Sequence, residues 1–413
     1  MFGVIGKSKT LLKGRCQSET SFNILLLLLW ADGLYNFAMV ATDMVLHTGM
    51  FIRTIGKVLL CIVLFLYSIN YMQGYVKSKH VVALLLYVLF YYICFFNPDA
   101  TDYLIKYQEP FLWAIPMFFI GLSIDISRTK ELLYYASILE ICISSYYLLS
   151  FTHSADYSGS AEFLEDNMNQ AYGFLTPLIY LFWYIFETFN IKSIRTYINI
   201  AVLFLGFFTM SVLGTRGPVI CLLIFCLLYI LLFKIKKHRI AYLLFFSACV
   251  FVVNQFLESF LIYMELLSDD LGFSARVFTS FLNDDFASSE GTSGRTDIYA
   301  KAWILINDSP AIGYGFFGYN NKLFGHYAHN FVLDVLLTFG YGIGIPCLMY
   351  LFWMTAKSFL RNISYENKSF LLVLFGAGII SLFFSNTFVV SKMFYLFIGY
   401  AIQVSSRPTR EYA

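Results

Sequence analysis

The chain has 413 residues, 59% of them hydrophobic and only 13% charged, with a mean hydropathy of +0.68 and a net charge of +2. A soluble domain carries about 25% charged residues, so this chain lacks the polar surface to coat a water-exposed globule. The small net charge gives no signal for nucleic acid. The eight cysteines, all but Cys16 inside apolar runs and none in a Cys-x-x-Cys pair, give none for disulfides or redox chemistry.

Lys7, Lys9, Lys13 and Arg15 precede an apolar run that starts at Phe22. That start resembles a signal peptide, but the run ends at Trp30-Ala31-Asp32-Gly33 and apolar sequence continues without a small-residue cleavage pattern. The expectation is an uncleaved first span. Crossing the hydrocarbon takes about 20 helical residues. Apolar runs at 21–43, 55–73, 81–97, 110–124, 131–151, 171–188, 197–213, 217–233, 239–258, 343–357, 369–388 and 393–405 predict an all-α, polytopic bundle of about 12 transmembrane helices. Backbone polar groups in lipid must be satisfied within the segment, and the alternation of an outer-membrane barrel is absent, so helices are the expected spanning elements.

The basic residues test the alternation. With the N-terminus inside, the inner segments carry Lys7, Lys9, Lys13, Arg15, Lys77, Lys79, Arg128, Lys130, Lys192, Arg195, Lys234, Lys236, Lys237, Arg239, Lys357, Arg361, Lys368, Arg407 and Arg410. The outer segments 97–102 and 156–166 are acidic or neutral. Both termini are therefore expected in the cytoplasm. The chain divides into a transmembrane bundle over 1–258 (about nine spans), an outer loop with a re-entrant half-helix over 259–344, and C-terminal spans over 345–413.

The outer loop is long and acidic. Up to residue 328 it carries Glu265, Asp269, Asp270, Asp284, Asp285, Glu290, Asp297 and Asp308 against Arg276, Arg295, Lys301 and Lys322. Loops of this length in compact proteins are either functional or disordered. Ile298, Ala302, Ile304 and Leu305 fall at helical spacing, and Asp308-Ser309-Pro310 ends that helix. Gly313-Tyr314-Gly315 reads as a turn. His329-Asn330 leads into an amphipathic stretch, Phe331 to Phe339, which the glycine run Gly340 to Gly344 breaks before the next span. Irregular backbone at that depth survives where it lines protein or a water-filled cavity.

Arg216, in Gly214-Thr215-Arg216-Gly217, sits between two apolar spans with almost no loop. It is either a snorkelling anchor or an anion ligand; Gly217 leaves room for a backbone or a bulky anion, and the guanidinium fork suits phosphate oxygens. Arg295 opens the loop helix after Thr292-Ser293-Gly294. It is either a surface arginine paired with Asp297 or Glu290, or a second phosphate ligand aided by the helix N-terminus. His329 can accept a proton at neutral pH. His326 and His329 have zinc-like spacing, but no third ligand or thiolate is clustered with them, so no metal is expected. Asp32, Asp43, Glu140 and Glu187 lie in or near spans without a pairing suited to acid–base work.

Thr215-Arg216-Gly217 at the head of a span, Gly294-Arg295 followed by Trp303, Pro310-x-x-Gly313-Tyr314-Gly315 and His329-Asn330 before a half-helix, in that order, resemble the O-antigen polymerase and O-antigen ligase superfamily over roughly 200–360. The rest of the chain agrees in span count and topology only. In the ligases the His-Asn element is followed by a glycine and then, three residues on, by Gly, Thr or Tyr; here Gly340 is followed by Ile343, with Gly344 one place late. The resemblance implies a GT-C-like membrane glycosyltransferase of the bacterial inner membrane, working on its outer face without a cofactor. His329 would be the general base. Arg216 and Arg295 would bind pyrophosphate. Asn330, Gly217, Trp303, Tyr314 and His326 are candidate supports. Donor and acceptor would be glycans on undecaprenyl pyrophosphate, joined by inverting transfer into O-antigen, capsule or exopolysaccharide. Membrane lipids, a chain-length regulator and a flippase are the implied partners. An O-antigen ligase is the sibling alternative. A repeat-unit flippase or solute transporter is the alternative of another class, although transporters show paired broken helices and only one break, near 340–344, is visible in the sequence.

Overall fold

The computed structural model describes residues 17–30, 50–73, 75–151, 161–212, 216–233, 262–263, 266 and 295–406. These are helical, with no strand among them. The helices are α1 (17–30), α2 (Met50–Met72), α3 (Ser78–Ile93), α4 (Pro98–Ser123), α5 (Ile126–Phe151), α6 (Ala161–Thr188), α7 (Ile194–Val212), α8 (Arg216–Phe233), α9 (Arg295–Asp308), α10 (Phe331–Leu360), α11 (Tyr365–Phe375) and α12 (Lys392–Ser406). The predicted span 239–258, the acids Asp32 and Asp43, and the loop residues 267–294 lie outside the described residues.

Ten of the twelve predicted runs coincide with one of these helices or its described part, namely α1 to α8, α10 and α12. Two boundaries move for clear reasons. The run 110–124 begins at Pro98, because Asn97 caps the helix by accepting from the Asp99 amide at 3.1 Å and Pro98 needs no amide partner there. The run 343–357 is part of one long element that starts at Phe331. By length and apolarity alone, four segments among the described residues can cross a membrane: Ser78–Phe96, Ile194–Ser211, Phe331–Leu360 and Tyr365–Phe383. Leu59–Met72, Pro110–Ser123 and Gly217–Phe233 are shorter apolar stretches.

Helices in lipid gain little from hydrophobic exclusion and associate through close packing. Gly121 of α4 and Gly399 of α12 show this. A Cβ on Gly121 would collide with the Leu396 carbonyl, and one on Gly399 with the Phe118 carbonyl. The two helices therefore run backbone to backbone, which fastens the C-terminal helix to the first half of the chain.

The charge alternation has a structural counterpart. Segments predicted to share the inner side meet: Arg128 pairs with Glu19 at 3.3 Å, Lys130 with Glu366 at 3.1 Å, and Arg195 with Glu131 at 2.7 Å. Aromatic rings shield this cluster, with Arg195 over Tyr134 at 4.3 Å and Lys130 over Trp183 at 5.1 Å. Glu187, flagged as an acid near a span, accepts from Tyr229 at 2.7 Å at the same end, while Glu140 is buried. Segments predicted outside also meet. Asn97 donates to the Tyr314 carbonyl at 3.4 Å, Asn321 to the Asp99 carbonyl at 3.2 Å, and Phe316 wedges between Phe90 and Tyr91.

Two segments among the described residues depart from regular helix. The expected five-residue break from Gly340 to Gly344 is confined to Gly340 (φ 65°, ψ −174°), and the helix resumes at Tyr341. The loop Pro310–Gly315 satisfies the freed backbone groups. Tyr314 and Gly315 amides donate to the Leu337 and Thr338 carbonyls at 2.8 and 2.9 Å. The Tyr341 and Gly342 amides donate to the Pro310 and Ala311 carbonyls at 2.6 and 3.2 Å. The turn and the broken helix are thus one unit, which is how lipid-depth irregularity is tolerated. The second departure is not expected from the apolar run. The run 369–388 leaves α-helix at Gly376, passes through a widened turn (Gly376–Ile380) and a tight one (Ser381–Phe383), and is irregular up to α12. Gly378 presses on the Met393 backbone there, and Asn386 takes a left-handed φ of 70°.

Candidate functional site

The site is assembled from α9, the segment 326–330, the start of α8, one residue of α6 and the irregular segment after Phe383. A small separate core holds α9 in place. Ile298, Ala302, Leu305 and Ile306 bury against Tyr319, Leu323, Ala328, Leu333, Leu336 and Leu337. This packing fixes the first turn of α9, and with it Arg295, beside the chain that enters α10.

His329 occupies a left-handed backbone conformation (φ 48°), which histidine tolerates better than most side chains. Its carbonyl accepts from the Tyr299 hydroxyl at 3.3 Å, and its ring stands 4.3 Å from that of Tyr327. Nδ1 is buried without a hydrogen-bond partner. Burial pushes the His329 pKa down to about 3, with the Arg295 guanidinium and then His326 adding to the effect. The imidazole is therefore neutral at pH 7 and offers a lone pair. Asn330 follows in extended conformation and caps α10, its Oδ1 accepting from the Val332 and Leu333 amides at 3.0 and 3.3 Å.

The charge of Arg295 bears on Tyr172 of α6 and Cys221 of α8 as well as on His329. No carboxylate among the described residues pairs with Arg295, so the expected alternative partner Asp297 is not engaged. Arg216 opens α8, and its side chain lies outside the described residues. The next residue, Gly217, is occupied from outside the helix: a Cβ there would meet the Tyr172 hydroxyl and Phe384. A side chain, not a backbone, fills the space that this glycine leaves.

The remaining sequence candidates sort by position. His326 is exposed, its ring 6.4 Å from that of His329. Trp303 is 47% exposed on the face of α9 away from the small core. Tyr314 is a brace, its hydroxyl donating to the Leu305 carbonyl at 3.2 Å and its amide to Leu337. Among the described residues no three His, Cys, Asp or Glu side chains cluster as metal ligands.

Two residues at or beside the site escaped sequence reasoning. Asp334 is fully buried in the first turn of α10, where it receives the Tyr319 hydroxyl and, at 3.3 Å, the Phe388 amide. The signal was present, since Asp334 is the one charged residue between 331 and 356. Tyr172 had no such signal among 31 tyrosines.

No curated protein and no solved structure matches the chain. Residues 201–345 match the family described as O-antigen ligase. That segment carries α8, α9, His329 and the first half of α10, and the match supports the resemblance to the O-antigen polymerase and ligase superfamily.

Proposed function

We propose that the protein is an outer-face glycosyltransferase that polymerises glycan repeats carried on undecaprenyl pyrophosphate. The observation that carries this reading is the pairing of Arg295, a guanidinium with no described carboxylate partner, with His329, a neutral imidazole with an unpaired buried nitrogen. A cation with no carboxylate partner among the described residues and a neutral imidazole with a lone pair match the two halves of a displacement at an anomeric carbon.

In this mechanism an acceptor sugar hydroxyl attacks the anomeric carbon of the donor. His329 takes the hydroxyl proton as the new C–O bond forms. The bond from the anomeric carbon to the phosphate oxygen breaks, its electron pair leaves with the pyrophosphate, and configuration inverts. Arg295 and Arg216 stabilise the growing negative charge. Pyrophosphate leaves well, so the reaction as written needs no metal. Burial is the main cause of the low His329 basicity, and an anion bound at Arg295 offsets the smaller part that comes from the guanidinium charge, so donor binding makes His329 a stronger base.

The sidedness rests on the charge alternation, and twelve spans with both termini cytoplasmic remain our reading, as does the GT-C-like architecture. A catalytic unit over 259–344 between two sets of spans fits the way the loop Pro310–Gly315 locks into α10. A ligase transferring a finished glycan to lipid A-core is the second reading, favoured by the description of the matching family. Chain length after deletion separates the two. Loss of polymerase leaves single repeats on the surface, and loss of ligase leaves none. A flippase would trap repeats inside. Arg216→Ala, Arg295→Ala and His329→Ala should each abolish long-chain glycan in a complemented deletion strain; unchanged glycan in all three would overturn the mechanism.

A further inference from the structure

Tyr172 comes from α6, and its ring packs against the main core. Its hydroxyl oxygen is buried and makes no hydrogen bond of acceptable length and angle. Ser385 stands close enough to influence it without completing such a bond. A buried phenol hydroxyl left unpaired is unfavourable and calls for a specific explanation.

The surroundings say what that partner is. The charge of Arg295 acts on Tyr172 from α9. Gly217, in the first turn of the 18-residue α8, lies so close that a Cβ would strike the hydroxyl. Tyr327 acts on it too, and its ring lies 4.3 Å from that of His329 in a tilted arrangement. A helix start in contact with a phenol O–H, under the influence of a guanidinium, gathers three donors, without a described carboxylate to accept from them. Three such donors call for an acceptor-rich anion, and phosphate oxygens supply one.

We propose that the Tyr172 hydroxyl donates a hydrogen bond to a phosphate oxygen of the lipid-linked pyrophosphate, making Tyr172 a substrate-binding residue. This rests on the assignment of Arg295 as a pyrophosphate ligand. It also gives Gly217 a specific role: any side chain there displaces the hydroxyl from the anion. Because leaving-group charge grows as the glycosidic bond breaks, the contact strengthens along the reaction.

The test uses the full chain purified in nanodiscs, with undecaprenyl pyrophosphate and inorganic pyrophosphate as probes. Tyr172→Phe keeps the ring and removes only the hydroxyl. Its expected effect is about tenfold weaker binding of both probes, the usual order for one hydrogen bond to a charged group. The ligand-free melting temperature should be unchanged or slightly higher, since an unpaired buried hydroxyl has been removed, and the stabilisation gained from the probe should shrink. Gly217→Ala should weaken binding in the same direction. If Arg295→Ala loses binding and Tyr172→Phe does not, this proposal falls and the assignment of Arg295 stands. If neither variant loses binding, the pyrophosphate site itself is wrong. A lower ligand-free melting temperature with unchanged binding would make the hydroxyl a structural partner of Ser385 and overturn the proposal.

Discussion

The hydroxyl of Tyr319 donates to the carboxyl of Asp334, and both side chains are sealed from solvent. Tyr319 belongs to the loop between α9 and α10, Asp334 to α10, and the Phe388 amide, which also donates to that carboxyl, to the irregular segment before α12. One buried carboxyl therefore ties three separate pieces of chain within a few residues of His329.

Asp334→Ala should destabilise the protein by about 2–4 kcal/mol, because it leaves the buried Tyr319 hydroxyl and the Phe388 amide without their acceptor. Asp334→Asn, which keeps an acceptor oxygen, should cost less. Thermal unfolding in nanodiscs measures both; equal melting temperatures for Asp334→Ala and wild type would show that the carboxyl is not a structural tie.

Gly340→Ala should be more damaging than Gly344→Ala. Gly340 has φ 65° and a built Cβ only 2.7 Å from Ala311 and Gly313 backbone atoms, whereas Gly344 is helical with its nearest contact at 3.2 Å, a side-chain methyl. Strain of about 1–2 kcal/mol is expected from the left-handed conformation alone, and the clash with the loop adds to it. Loss of surface glycan with Gly340→Ala but not Gly344→Ala is the expected pattern.

His329 should show an unusual pH dependence. Its pKa in the folded protein, about 3, lies below the ordinary 6.5, so it stays neutral where a solvated histidine is protonated. The stabilising contribution of the neutral form is complete above about pH 6.5 and is lost as pH falls toward 3, because the unfolded chain takes up the proton first. In the ligand-free protein, acylation of His329 by diethyl pyrocarbonate, followed by mass spectrometry, should stay nearly constant from pH 7 to about 5. A rate that halves near pH 6.5 would refute the electrostatic picture.

A periplasm-active reporter fused near Ser288 should be active, and one fused near Lys192 inactive. The converse result would reverse the membrane orientation and remove the outer-face assignment.

Much of this architecture was legible before any coordinates. The helix positions follow from apolar runs, because lipid forces every crossing backbone to pair within itself. The half-helix was legible at His329-Asn330 and at Gly340, since a capping residue and a glycine punctuate locally. The extent of that break was overestimated, because Gly342 and Gly344 are helical glycines whose role is packing against Ala311 and Leu336. The departure at 376–391 was not read from the apolar run, although Gly376, Gly378 and Ser385-Asn386-Thr387 interrupt it.

By itself the sequence determined the membrane-bundle character, the helix order, the segregation of charge and the motif residues Arg216, Arg295 and His329, all of which depend on local composition or spacing. Only the tertiary structure decided that the charge of Arg295 falls on His329, that Pro310–Gly315 completes the broken helix at Gly340, that the Tyr172 hydroxyl lies against Gly217, and that Asp334 accepts from Tyr319. These are contacts between elements distant in the chain, fixed by how helices pack and by where buried polar groups find partners. No periodicity records them.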